Sequence, residues 1–310
     1  MQEISKHETL DGSKVAALPD IDLFKLFTRD NWNRLNIPSR QTILQEVENR
    51  QAKLDGRSPA TVQIKRLEAG LHGYCSDAAD GKRIIVLNEM YTGNASLQPL
   101  NSMALNTVLH EGRHSFQAES LQSNPKHLSN QILLQFLANN IHYFNGSNDE
   151  HEEYGSALNY VLYQCQEIEM DARRFARLRM VDIYNKLKEA GISDQTFEIS
   201  IRRDRNDEIN LINNLRMFLT RNMLDHWEET IKTKMQKFSG CPDLTNVRLF
   251  KEAYMILEHP EMSAEELLNL LDNDALNRLP FLNNKIENSL NRLKRLPLLP
   301  ELDALDDYFS

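Results

Sequence analysis

The sequence predicts an α+β protein that is predominantly α-helical. Three observations lead there. Gly and Pro are few, 11 and 10 in 310 residues, which disfavours a turn-rich sandwich or barrel and favours helix. From about residue 101 onward, apolar residues recur at helical spacing almost without interruption. A β pattern is confined to residues 61–90, where "TVQIKRL", "GLHGYCSD" and "KRIIVLNEM" are separated by Gly-containing turns.

Each element follows from its local chemistry. Residues 20–55 carry helical periodicity. "SRQTILQEVENRQAKL" opens on Ser39 as the cap, and Ile43, Val47 and Leu54 share a stripe. "DGRSPAT" breaks it. The three short strands that follow form a small antiparallel meander, with "DAADGKR" as a hairpin connection. Helices are then expected over roughly 102–122, 128–144, 150–188, 194–237, 245–258, 263–272 and 281–295. "NPKH", "FNGSND", "EAGISD", "FSGCPD" and "EHPEMS" punctuate them. The tail "LPLLPELDALDDYFS" is acidic and bounded by Pro.

Composition narrows the function classes. Hydrophobic residues make up 41% and charged residues 26% of the chain, as in a globular protein. The net charge of −9 argues against a general nucleic-acid binder, which needs a dense basic face. The basic stretches "IRRDR" (201–205) and "NRLKR" (291–295) read as solvated helix faces. No stretch approaches the roughly 18–20 apolar residues of a membrane span. "MQEISKHETLDGSKV" has no apolar core of a signal peptide. The expected location is cytoplasmic, with export lacking a classical signal peptide as the other route. Cys75, Cys165 and Cys241 are too few and too widely spaced for a disulfide framework or a Cys-x-x-Cys knuckle, and read as core residues.

The stretch "NTVLHEGRHSFQ" (106–117) carries the chemistry. On a helix, His110 and His114 stand one turn apart on the same face and can turn both imidazoles on one metal ion. Glu111 lies about 100° round the helix, close enough to serve a metal-bound water as general base without ligating. Leu105, Val108, Leu109, Gly112 and Phe116 form an apolar stripe beside the ligand face. Gly112 costs the helix roughly 1 kcal/mol against Ala, which makes sense where another backbone comes close.

A catalytic zinc takes three protein ligands and keeps one position open. A third His in the extended HExxHxxGxxH pattern would fall on residue 120, which is Ser120, so that route is closed. "QCQEIEMDARRFARL" (164–178) offers Glu167, Glu169 and Asp171. Glu169 shares its face with Ala172 and Ala176, which let two helices approach, and is preferred. Glu167, which shares a face with Phe175, and Asp171 remain alternatives. For the carboxylates that do not ligate, a surface ion-pair face with Arg173, Arg174 and Arg177 is expected. Arg113 and Gln117 are placed to orient ligands. Tyr160, Tyr163, His142 and His151 are candidate donors to a developing oxyanion. The strand 83–90 is a candidate edge for pairing with an extended peptide.

"HEGRHSFQ" followed by "ExDARRFA" resembles the gluzincin branch of the zincin metallopeptidases. It is similar to the small bacterial HExxH proteins of the ImmA/IrrE-like group and to metallopeptidase domains of bacterial effectors and toxins. The likeness covers roughly residues 60–180 and departs from the pattern at Asp171 and Arg173. The resemblance, taken with the helical periodicity on either side of it, leads to an expected zincin-like core over residues 1–185 and a helical C-terminal region over 186–310, the two able to pack as one unit. It further implies a zinc metalloendopeptidase with His110, His114 and Glu169 as ligands, Glu111 as base, Zn2+ as cofactor and a protein or peptide as substrate. The alternatives are a zincin-like regulatory or binding protein with little turnover, and a helical scaffold in which HEGRH is coincidental. The presence of Glu111 speaks for the enzyme, because a purely structural site has no use for that carboxylate.

Overall fold

A computed structural model describes residues 10–77, 81–95, 98–123, 128–141, 143, 155–237 and 244–277. The helix expected over 281–295, the basic stretch "NRLKR", the acidic tail, Cys241, His142 and His151 lie outside the described residues. The described residues are mostly helical (69%) and include one small three-stranded sheet, in keeping with the α+β expectation.

Four helices come first: α1 (Gly12–Ala16), α2 (Asp20–Lys25), α3 (Arg29–Trp32) and α4 (Ile37–Asp55). Asn36, not Ser39, caps α4: its side chain accepts the Ser39 N–H at 2.9 Å. Ser39 sits inside the first turn, and its hydroxyl accepts the Leu10 N–H. Gly56, at φ 69°, ends α4 in the left-handed region where a side chain would be strained.

The strands β1 (Thr61–Lys65), β2 (Gly73–Asp77) and β3 (Arg83–Asn88) follow, with a short 3₁₀ turn over Glu89–Thr92. They do not form the expected antiparallel meander. The order is β1-β3-β2, with β1 parallel and β2 antiparallel to β3. Ile85, Val86 and Leu87 are all buried, and that continuous apolar run suits a central strand. Of the two readings open for strand 83–90, a pairing edge or a buried hairpin strand, the structure has the buried one: β3 is the middle of the sheet, and β2 is an edge.

Eight helices complete the described chain: α5 (Leu100–Ser123), α6 (Asn130–Ile141), α7 (Gly155–Cys165), α8 (Glu167–Glu189), α9 (Gln195–Phe218), α10 (Arg221–Met235), α11 (Lys251–Glu258) and α12 (Ala264–Asn277). Two expected long helices are each divided. The helix expected over 150–188 breaks at Gln166, whose backbone is extended (ψ 135°). Asn139 of α6 takes the Ile168 N–H there and satisfies the new helix start from outside. The helix expected over 194–237 breaks at Leu219, and Thr220 caps α10 through the Met223 N–H.

Among the described residues two large apolar cores result, beside a small third cluster of Phe116, Leu128 and Phe136. One joins α1–α4, the sheet, α5 and the later turns of α8, and draws in Phe197, Ile201 and Ala275. The other joins α7, Met170 of α8 and the helices from α9 to α12. Helix α8 is a wall of both. No helix among the described residues is long and apolar enough to cross a membrane.

Candidate metal centre

Helix α5 packs on the sheet and α4 on one side and on α8 on the other. Leu105, Val108 and Leu109 join the first core. The remaining face carries Asn106, His110, His114, Gln117 and Leu121 and opens into a cleft of about 1050 Å³. Gly112 lies on the opposite, packed side. A Cβ there would fall 2.7 Å from Glu48 Oε2 and 3.0 Å from Arg57 Nη2. The close neighbour is thus a buried ion pair, not a second backbone as the sequence suggested.

Helix α8 packs along α5, and its Ala172 and Ala176 are both fully buried. Its first turn delivers Glu169, where the helix dipole favours a carboxylate. The His110 and His114 Nε2 atoms lie 3.1 Å apart. Glu169 Oε2 is 3.5 Å from the first and Oε1 is 3.4 Å from the second. The three residues form a group whose ligand atoms lie within 4.8 Å of one another and which could hold a metal ion. The two imidazole–carboxylate spacings are those of a bound ion's ligands, whereas the 3.1 Å between the imidazoles is a hydrogen-bond distance. A tetrahedral ion bound at about 2.0–2.2 Å sets its ligand atoms roughly 3.3–3.6 Å apart. Hydrogen bonds from imidazole to carboxylate would instead sit at about 2.7–3.2 Å. The donor set of two imidazoles and one carboxylate also suits zinc.

Asp171 and Glu167 are not part of this group. Asp171 accepts from Arg113 Nε at 2.7 Å and Nη2 at 3.1 Å, and from Gln117 Nε2 at 2.9 Å. Glu167 accepts the backbone N–H of Glu252 at 2.9 Å. Nor do Arg173, Arg174 and Arg177 form a surface face. Arg174 and Arg177 are buried and Arg173 is half-buried. Their partners are Glu208 on α9, Glu252 on α11 and Asp272 on α12. "IRRDR" is not a solvated face either, since Arg205 is buried against Glu265 and Asp204 lines the cleft.

The electrostatics follow from burial and charge. Burial alone presses the His114 imidazolium down, but Glu169, with Glu111 behind it, overrides this and holds His114 up at about 9. Glu169 is held well below the usual carboxylate range: burial raises it, and the facing His114 and His110 more than reverse that. Glu111 is raised by burial, opposed by His110 and His114 and by a hydrogen bond from the Cys75 backbone N–H. Burial pushes the Cys75 and Cys165 thiols up to about 12, so both are poor nucleophiles.

Tyr160 and Tyr163 line the cleft. Tyr143 was missed by sequence reasoning, although its hydroxyl donates to Glu169 Oε1 at 2.9 Å and its ring meets Tyr163 edge-on. Nothing local in "NIHYF" distinguishes it, because its partner is 26 residues away. His72 was also missed; it lines the cleft and packs on the Tyr91 ring at 4.1 Å. No family model matches the chain, and no curated protein or solved structure matches it.

Proposed function

We propose that this chain is a zinc-dependent metallopeptidase with a zincin-like core, hydrolysing a peptide bond in a protein or peptide substrate. One observation carries the reading. Two imidazoles of α5 and a carboxylate of α8 converge with their ligand atoms within 4.8 Å of one another, and a buried Glu111 stands beside them on the same cleft. A small sheet over the HExxH helix and a third ligand from a later helix support the core.

His110, His114 and Glu169 would hold the ion, which when bound supplies Lewis acidity to a water and to the substrate carbonyl. Glu111 does the proton work. Its carboxylate takes a proton from the attacking water as the carbon–oxygen bond forms, then gives it to the amide nitrogen as the carbon–nitrogen bond breaks. The Cys75 N–H holds it in place. Burial raises its pKa, which makes it a stronger base than an exposed carboxylate. Tyr163, on the same cleft, offers a hydroxyl donor to the developing oxyanion, while the Tyr143 hydroxyl is committed to Glu169.

The edge strand β2 gives the substrate a track. The Asn88 N–H bonds to His72 O. By antiparallel alternation this leaves the backbone of Gly73, Cys75 and Asp77 on the side away from β3, where Glu111 already takes the Cys75 N–H and pairing falls to the other groups. Gly73, Tyr74 and Cys75 line the cleft. An extended polypeptide laid there pairs by β-augmentation.

The test is Glu111→Gln in zinc-loaded full-length protein, assayed on a denatured protein and on a mixture of unstructured peptides. Wild type should cleave; the variant should bind zinc equally and lose hydrolysis by a factor of roughly 10² or more. Full hydrolysis by the variant would remove Glu111 from the reaction. Zinc-loaded wild type that cleaves none of these substrates would favour a binding protein.

A further inference from the structure

We infer that Gln117 fixes the tautomer and aim of His114, and that Asp171 and Arg113 serve the site by locking Gln117. The inference rests on the metal-centre reading above and adds what holds one ligand in register.

An amide side chain can be turned either way, but this one cannot. Its nitrogen faces two groups that only accept: the Ile168 backbone carbonyl at 2.9 Å and Asp171 Oδ2 at 2.9 Å. Both amide hydrogens are thereby used, and turning the group over would set oxygen against oxygen twice. Oε1 must face His114 Nδ1, 2.8 Å away. A carbonyl oxygen cannot donate, so Nδ1 must carry a proton. Nε2 is then the nitrogen left to present a lone pair to the ion.

Asp171 is fixed in turn. Arg113 grips both its oxygens, at 2.7 and 3.1 Å. The guanidinium is itself held over the Phe116 and Phe175 rings, at 4.2 and 4.9 Å. The chain of contacts crosses from α5 to α8 beside the group formed by His110, His114 and Glu169. It ties the ligand His of one helix to the backbone of the helix bearing the ligand Glu, through Ile168 O. Metal-bound histidines depend on such partners, and losing one typically costs 10–100-fold in metal affinity. Gln117 and Asp171 are positioning residues here, since neither reaches the reacting atoms.

The experiment adds zinc to metal-free full-length protein and measures affinity by competition with a chromophoric chelator. In parallel, the imidazole ¹⁵N resonances of His-labelled protein are recorded. Wild type should show a protected Nδ1 proton on His114 and an Nε2 shift moved by zinc. Gln117→Leu should bind zinc about 10–100-fold more weakly and lose the protected proton, with unchanged helix content. Gln117→Glu keeps an acceptor opposite Nδ1 and should keep that proton, while its second oxygen, set against the Ile168 carbonyl and Asp171, should lower the melting temperature; a proton retained in a destabilised variant is not what a merely structural role predicts. Zinc affinity within twofold of wild type in a folded Gln117→Leu, or zinc on Nδ1 in wild type, would overturn the inference. Wild type that binds no zinc yet shows the Nδ1 proton, lost in Gln117→Leu, would uphold the lock while sinking the metal reading.

Discussion

Gly112 is the residue of the HEGRH motif whose identity is set by packing alone. The buried pair of Arg57 with Glu48 leaves no space for a Cβ, and Glu48 Oε1 also accepts the Ala60 N–H at 2.8 Å. The carboxylate cannot swing aside without giving up a bond. Gly112→Ala gains roughly 1 kcal/mol of helix propensity but forces this contact. A net loss of about 1–3 kcal/mol is expected, read as a lower urea midpoint with an unchanged slope. A variant as stable as wild type would mean that the pair yields freely. Asp204 offers a second test, through pH. Burial, with Asp207 adding to it, raises its carboxyl to about 6 against the pull of Arg203, Arg177 and the Asn106 amide. The folded state binds that proton more tightly than the unfolded chain, whose value is 3.8. The ionised form therefore costs stability above about pH 6, and the cost fades as pH falls toward 4. Asp204→Asn should melt higher than wild type at pH 8, with the difference shrinking to near zero at pH 4. An equal difference at both pH values would put the effect elsewhere. At this level the sequence was legible where chemistry is local. His110, Glu111 and His114 show themselves by one helical turn, and Glu169 stood out because Ala172 and Ala176 mark a close helix approach. Tyr143 and the roles of Gln117 and Asp171 depend on partners 26 to 58 residues away, and no spacing rule reaches that far.

Helix α8 carries both the chemistry and the wiring of the molecule. Its first turn gives Glu169 to the cleft, while Arg173, Arg174 and Arg177 fasten it to α9, α11 and α12. From sequence these arginines read as solvent-facing, because their acidic partners lie 35 to 95 residues downstream. Buried, they obey a different rule: removing one member of such a pair strands a charge and costs about 3–5 kcal/mol, whereas replacing both by apolar groups is often neutral. Asp272→Ala should therefore destabilise by about that amount, and Arg177→Met with Asp272→Leu should recover most of it in the same denaturant titration. A double variant as unstable as the single would show that the pair contributes more than charge balance. The sheet order was hidden for a related reason. β1 pairs with β3 across the intervening β2, and a parallel partner leaves no turn signature between the strands it joins. The break at Gln166 left no Gly or Pro to read, since Asn139 supplies the hydrogen bond that makes it. Thr220 did leave a capping signal inside an otherwise continuous periodicity.

Across the whole chain, the two cores meet along α8, and the candidate metal group lies where α8 crosses α5. An ion held by His110 and His114 on one helix and Glu169 on the other would join them in the folded state only, since the unfolded chain keeps no such geometry. Zinc should then stabilise the entire fold. At a free concentration 100 times its Kd it adds about 2.7 kcal/mol, which for a chain of this size corresponds to roughly 4 °C in melting temperature. Wild type purified without chelator should carry about one zinc, melt lower after chelation and recover when zinc is returned. Glu169→Ala should retain much less metal and show little of the shift. Glu111→Gln should keep both the metal and the shift, because its carboxylate is not among the three ligands. Zinc retained in full by Glu169→Ala would move the third ligand elsewhere. A wild type indifferent to chelation and to added zinc would mean that packing alone holds α5 against α8, and that the two histidines and the glutamate meet there as a polar contact without an ion.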